Sequence, residues 1–266
     1  MNQVKRRVGL IGLFVGLSCL FAKAQITPPG LGEMHTASWA ALGVKQKLNA
    51  KGNLTSTTYV GEGAISTPKD YNPFERASIY VLNEEIAHQF SKNWKYSGAL
   101  SYRWQNEYKS SSPFEKDNPS GRQEIRLYAR YSYLTGQNRT RFSFTYRPEL
   151  RFFFNPDFSP NENRFQFRSR LGAKVSFALN EAQTQKLIVS SEFLLALNKS
   201  NEDWQKLKYN DTRFCLYYSV AVPKSKIVLD IGYMNDLIAK SPTTDVHYLA
   251  VDLIFKNPFS KAKPSR

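Results

Sequence analysis

At 266 residues the chain is long enough for one ordinary domain, and 37 Lys and Arg against 22 Asp and Glu give it a formal net charge of +15. So basic a balance invites a nucleic-acid reading, but Tyr, Phe and Trp make up 14% of the chain and fall in alternating rows instead of on a basic helix, which argues against it. Beyond the first two dozen residues no apolar run approaches the ~18–20 residues of a membrane-spanning helix. Low mean hydropathy is no bar to a membrane β-barrel, where only every second residue faces lipid.

The chain opens with Lys5, Arg6 and Arg7, continues through an apolar run from Val8 to Phe21, and reaches Ala22-Lys23-Ala24. This is the order of a secretory signal peptide, with cleavage expected after Ala24. The apolar run is too short for a retained helical anchor. Lipid attachment at Cys19 is a further alternative, but Gly16-Leu17-Ser18 suit it poorly and the apolar run continues past it. Loss of residues 1–24 removes four basic residues and no acid, lowering the net charge from +15 to +11. Cys215 then stands alone, so no internal disulfide is expected. Residues 25–34, with Pro28-Pro29-Gly30, read as a short periplasmic lead-in.

From there a period of two dominates. Ten strands are expected, near 36–48, 77–90, 94–108, 122–134, 139–151, 164–178, 186–198, 212–222, 226–236 and 246–256. Trp94, Tyr96, Gly98, Leu100, Tyr102 and Trp104 share one face, opposite Lys95, Ser97, Ala99, Ser101 and Arg103. Later runs set Ile125, Leu127, Ala129, Tyr131 and Tyr133 against Glu124, Arg126, Tyr128 and Arg130, and Phe165, Phe167, Leu171, Ala173, Val175 and Phe177 against Arg168, Arg170 and Lys174. A soluble sandwich also alternates, but its strands average about five or six residues, and these runs are longer and charged on their polar face. Connections alternate between short, as at Ser91-Lys92-Asn93 and Pro223-Lys224-Ser225, and long, as at 49–76 and 109–121. The expected fold is therefore all-β: a single antiparallel transmembrane β-barrel of about ten strands, with twelve as the alternative count, short periplasmic turns and long extracellular loops. Its domain plan is 1–24 signal peptide, 25–34 lead-in, 35–256 barrel and 257–266 basic tail. An even count puts both termini on the periplasmic side.

Trp39 in the first strand, Gly98-Ala99-Leu100-Ser101-Tyr102-Arg103, the Arg-rich strands Gln123 to Tyr133 and Arg164 to Phe177, Ser191-Glu192-Phe193 and Asp211-Thr212-Arg213-Phe214 together resemble the domain-of-unknown-function 2490 family of outer-membrane β-barrel proteins. The resemblance covers about the whole mature chain. It implies an outer-membrane location and brings no catalytic residues with it. Barrels in general end on an aromatic residue of the last strand. Phe255 would serve here, although eleven residues follow it.

The strongest chemical constellation is the set of charges on the polar faces: Glu107, Glu124, Arg126, Arg130, Arg147, Arg168, Arg170, Glu192, Arg213 and Asp230. In a barrel this narrow they would line or plug the lumen. Paired, they fill it; unpaired, they need water and make an anion-favouring pore. Asp245-Val246-His247 resembles the Asp-x-His part of the omptin proteases, in which an acid–imidazole pair activates water with help from an acidic pair opposite. Glu84 and Glu85 do not supply that pair, since adjacent strand residues point to opposite faces, and His247 shares its face with Leu249, Val251 and Phe255. A barrel phospholipase needs a serine beside a histidine on the lipid-facing wall. Ser169 is on that wall, yet none of His35, His88 and His247 follows a serine at useful spacing. Cys215 and the histidines have no metal-ligand spacing. Trp94, Tyr108, Tyr133 and Tyr248 read as girdle anchors near strand ends.

The expectation is thus a non-enzymatic outer-membrane barrel of a Gram-negative bacterium, structural or a narrow pore. It has no cofactor, no metal and no nucleic-acid partner. Its partners are membrane lipid and small solutes or anions. The alternatives are an outer-membrane hydrolase, or a surface binding or adhesion protein acting through its loops, the longest of which is expected at 49–76.

Overall fold

A computed structural model describes residues 26, 28–31, 34–118, 120–200 and 203–260. The signal-peptide reading of 1–24, including Cys19, and most of the basic tail lie outside the described residues. The strands are β1 (Thr36–Lys47), β2 (Leu54–Ile65), β3 (Arg76–Gln89), β4 (Trp94–Gln105), β5 (Arg122–Thr135), β6 (Thr140–Phe154), β7 (Pro160–Ala178), β8 (Gln185–Ser200), β9 (Asp203–Trp204), β10 (Lys208–Ala221), β11 (Ile227–Ile238) and β12 (Thr244–Lys256). No helix occurs among the described residues. The two-residue β9 only extends the edge of β8. The other eleven strands pair in succession, β8 joins β10, and β12 returns to β1, closing a barrel.

The count corrects the expected ten. The added strand is β2, which the sequence reading places inside a long first loop. Its outward row is Ser56, Thr58, Val60 and Glu62, and its inward row includes Gly61 and Gly63, so hydropathy does not alternate along it. An odd count has a geometric consequence. Antiparallel neighbours reverse direction at each step, so the first and last of eleven strands run the same way. β1 and β12 therefore pair in parallel, from Thr36↔His247 to Lys45↔Lys256, whereas every other pairing is antiparallel. β1 thus begins at one end of the barrel and β12 finishes at the other.

One end carries the connections 48–53, 90–93, 136–139, 179–184 and 222–226, and is called here the turn end. The other carries 66–75, 106–121, 155–159, 201–207 and 239–243, the loop end. Several expected long loops are in fact strand. β6 and β7 run on to leave only 155–159 between them. At that tip Phe158 adopts a φ of 64°, and Asp157 accepts hydrogen bonds from the Ser159 amide and hydroxyl, which hold its carboxyl below the usual range.

The two faces of the wall are chemically opposite. Leu42, Val60, Leu82, Leu100, Leu127, Phe144, Leu171, Val189, Leu216, Ile231 and Val251, one from each barrel strand, point outward and are 40–54% exposed. A polar patch interrupts the apolar outer wall where Glu84 of β3 accepts hydrogen bonds from Ser56 and Thr58 of β2. The interior is divided. Along β1 to β3 and β10 to β12 it is mainly apolar, with Trp39, Ile79, Val81, Tyr217, Met234, Val246 and Tyr248 buried together. Along β4 to β8 it is charged. Two glycines make the apolar half possible. The Tyr217 ring lies directly on Gly232 and the Trp39 ring on Gly61, in each case where a Cβ would collide with it.

Several described residues ahead of β1 pack inside the barrel. Ile26, Pro28, Pro29 and Leu31 are buried. The Leu31 amide donates to the Tyr248 hydroxyl at 2.9 Å, and an Arg213 Nη1 donates to the Pro28 carbonyl at 3.5 Å. Ile26 reaches the wall at Gly43, deep in β1. Ile26 and Leu31 thus pack into the apolar half of the lumen. Burial of side chains such as Ile26 and Leu31 is worth about 1.5–3 kcal/mol each. Tyr248, expected as a girdle anchor, is the inward partner of this segment, 1% exposed. Trp94 and Tyr133 do stand outward near the turn end, with ring centroids 5.1 Å apart. Tyr108 lies beyond β4, its hydroxyl donating to the Ala77 carbonyl.

Candidate functional site

The charged half of the lumen is an ion-pair layer built by strand alternation. Glu124, Arg126 and Arg130 project inward from β5, Arg147, Glu149 and Arg151 from β6, Arg168 and Arg170 from β7, and Glu192 from β8. Register places Arg126 beside Arg151, Arg147 beside Arg170, and Glu192 beside Arg213 of β10. Two rungs thus set arginine beside arginine, while Glu124, Glu149 and Glu192 each share a rung with an arginine, Arg103, Arg168 and Arg213 respectively.

Glu124 sits between Arg126 and Arg151, with one carboxylate oxygen 2.6 Å from the Arg126 Nε and the other 2.6 Å from the Arg151 Nη2. Arg126 reaches on to Glu149 at 3.4 Å. Glu149 is the hub, 0% exposed, with Arg147 Nε and Arg170 Nε both 2.8 Å from its Oε1. Those two Nε atoms approach off-axis, as ion contacts and not as aimed hydrogen bonds. Arg170 then reaches Glu192 at 3.3 Å. The result is one unbroken chain of charges, Arg151–Glu124–Arg126–Glu149–Arg170–Glu192, with Arg147 attached at the hub. The guanidinium of Arg147 also lies 3.8 Å from the Tyr128 ring centroid, and the Tyr128 hydroxyl is 3.1 Å from Asn83 Oδ1 and 3.2 Å from Glu85 Oε2.

Of the ten residues expected in this network, Glu124, Arg126, Arg147, Arg170 and Glu192 are joined in the chain. Arg130 pairs separately with Glu85 at 3.4 Å. Arg213 forms its own buried cluster with Asp211 at 3.1 Å and Asp236 at 3.4 Å. Arg168 donates to Gln166 Oε1 at 2.6 Å, and no carboxylate of a described residue comes within ion-pair distance of it. Asp230 is buried on the apolar side, opposite Asp252 across the β11–β12 rung, and Asp252 accepts from the Trp39 indole at 3.1 Å. Glu107 is a correction: it lies past the end of β4, exposed, 3.8 Å from Arg122 and outside the lumen layer. Glu149, Arg151 and Asp236, which the same alternation already turns inward, and Glu85 and Asp211 complete the network. The alternation that places Glu84 outward places Glu85 inward, so its role is readable once β3 is recognised.

The histidines lie away from this layer. His247 is on the outer wall, where Nδ1 is 2.6 Å from the Tyr233 hydroxyl and Nε2 3.5 Å from Asp245. His88 bonds to Asn53 and Tyr96, and His35 to the Pro68 carbonyl. Among the described residues no serine hydroxyl bonds a histidine, and Ser169 points outward from β7 between Phe167 and Leu171. The arrangement is therefore one of fixed, paired charge with an excess of arginine, four guanidiniums against three carboxylates in the chain.

No curated protein matches the chain by sequence. The model of DUF2490, a protein family of unknown function, matches residues 37–247. That span runs from the start of β1 to the start of β12 and takes in the ion-pair layer; it stops at His247, the first β12 residue of the parallel seam. The chain belongs to the DUF2490 family.

Proposed function

We propose that the protein is a non-enzymatic outer-membrane β-barrel of a Gram-negative bacterium, exported by cleavage near Ala24, with a closed lumen and a structural role. The observation that carries this reading is the inversion of the wall. Large apolar side chains from all eleven strands stand exposed on the outside, while guanidinium and carboxylate groups are buried inside. A soluble monomer seldom exposes a contiguous apolar patch above about 300–600 Å². Hydrocarbon removes that cost, and a closed barrel satisfies the backbone in it. The outward carboxylate at Glu84 fits this setting because two hydroxyls serve it. In this reading the turn end is periplasmic, the loop end extracellular, and membrane lipid the main partner.

Closure has two supports. The ion-pair chain fills the charged half, and Ile26 and Leu31 pack into the apolar half. Purified protein in planar bilayers is then expected to give no steady conductance. Stable anion-selective channels that weaken in Arg168→Glu would reject the closed lumen and favour a narrow anion pore.

A further inference from the structure

The apolar outer wall is not evenly filled. Across β12, β1, β2 and β3 it carries an open hollow of about 680 Å³, within the roughly 300–1,000 Å³ typical of small-ligand sites. Two rungs build it. The lower one, Leu253–Leu42–Val60–Leu82, is aliphatic throughout. The upper one, Val251–Ala40–Glu62–Tyr80, has only a methyl group at Ala40, which gives the hollow its depth. Ser38, the next outward position of β1, marks the upper limit. It is 7% exposed, because the 66–75 connection folds down over it, and its hydroxyl donates to the Pro73 carbonyl at 2.8 Å. The Thr36 hydroxyl likewise donates to the Tyr71 carbonyl at 2.8 Å.

Glu62 is the single charged residue of the lining. Among the described residues it makes no ion pair, and no Lys or Arg occupies an outward position on β12 or on β1 to β4. Its level is close to the loop end of the wall. It lies three residues from the end of β2 at Ile65, and its rung continues through Tyr80 to Trp104, the next-to-last residue of β4. The aliphatic rung lies one outward position nearer the middle of the wall. A carboxylate at aromatic-belt depth above a hydrocarbon-like surface has the layout of an amphiphile.

We propose that this hollow binds a membrane amphiphile headed by a primary ammonium, with the ammonium on Glu62 and an alkyl chain over Leu42, Val60 and Leu82. A primary ammonium brings three N–H donors, which the Glu62 carboxylate and the neighbouring Tyr80 hydroxyl can accept. An anionic headgroup is repelled by Glu62 and finds no cation beside it. A small soluble amine gains nothing from the aliphatic rung. The proposal gives the membrane-barrel reading a preferred lipid class at one place on the wall, and rests on that reading.

The test is site-resolved fluorescence quenching in phosphatidylcholine vesicles. The full barrel, with Cys215→Ser, carries a bimane label at Val44→Cys, one outward position below Leu42. A second preparation carries it at Leu171→Cys, on a distant part of the wall. Quenching by chain-brominated phosphatidylethanolamine is compared with quenching by phosphatidylglycerol bearing the same chains. At Val44 the ethanolamine lipid should compete for the wall about two- to fivefold better than the glycerol lipid, the worth of one partly exposed ion pair. At Leu171 the two should quench alike. Glu62→Gln, and separately Ala40→Phe, which fills the hollow but keeps the carboxylate, should each abolish the difference at Val44. Circular dichroism checks that both variants fold. Equal quenching at Val44, a preference for the glycerol lipid, or a preference that persists in folded Glu62→Gln would each overturn the proposal. Quenching at Leu171 without headgroup selectivity at Val44 removes only the site, whereas no quenching by either lipid at both positions removes the membrane reading with it.

Discussion

Replacing Glu149 by Gln should destabilise the barrel more than any other isosteric change of a single charge in the lumen. The side chain is 0% exposed and meets three guanidiniums, at 2.8, 2.8 and 3.4 Å. Gln keeps the volume, so no cavity term enters and the cost is electrostatic. Two unit charges ~4 Å apart attract by about 4 kcal/mol at an effective dielectric of ~20. Loss of the hub removes three such attractions and leaves Arg126, Arg147 and Arg170 to repel one another. Water drawn into the layer offsets much of this, and breaking a buried pair typically costs about 3–5 kcal/mol net. The matched control is Glu107→Gln at the exposed rim pair with Arg122, expected to cost under ~1 kcal/mol. Urea unfolding of both variants in the same micelles or vesicles measures the difference. Neutralising Arg147 in the Glu149→Gln background should recover part of the loss. A Glu149→Gln barrel within about 1 kcal/mol of the wild type would refute a dry, paired layer and indicate a lumen already flooded with water.

Further outcomes follow from the faces and ends of the barrel. Leu171→Arg puts a cation on the outward face near mid-strand and should cost roughly 2–4 kcal/mol in a bilayer, whereas Ser176→Arg on the inward face should cost less; equal damage would contradict the register. Tags inserted at Asn118 and Asp157 should be reachable on intact cells and one at Gly136 only after the membrane is opened, with the reverse labelling inverting the assigned topology. Leu31→Asp buries a carboxylate against Trp39 and Tyr248 and should lower stability by several kcal/mol. A neutral result in unfolding experiments would mean that the lead-in leaves the lumen in solution.

Much of the barrel is legible in the alternation of β4 to β7, because aromatic and aliphatic residues there face arginines across every pleat. The same rule sorts Glu84 outward and Glu85 inward. β2 escapes it because its outward row is Ser, Thr and Glu beside a single Val, and a strand that breaks the chemical pattern has no other local signature. Missing that one strand changes the parity of the barrel, and with it the β1–β12 seam, which becomes parallel, and the ends at which β1 begins and β12 finishes. Such a global consequence of a count is absent from any local window. The lead-in was hidden for a related reason: Pro28-Pro29-Gly30 reads as a linker, and only the lumen gives Ile26 and Leu31 something to bury against. In the site, alternation supplies the inward charges but not which acid meets which base. Glu149 becomes a hub because it stands diagonally between Arg126, Arg147 and Arg170 on three strands, a relation set by register. Glu107 fails to join because β4 ends at Gln105, two residues before it.

The claim that the apolar outer wall lies in lipid is tested most directly by spin labels at Leu100, Leu171 and Leu216 in the reconstituted protein, after Cys215 is replaced by Ser. Labels at these outward mid-strand positions should collide freely with molecular oxygen, which concentrates in hydrocarbon, and hardly at all with a water-soluble nickel chelate. A strong response to the nickel chelate at all three would show that the wall faces water, and the membrane-barrel account would be wrong.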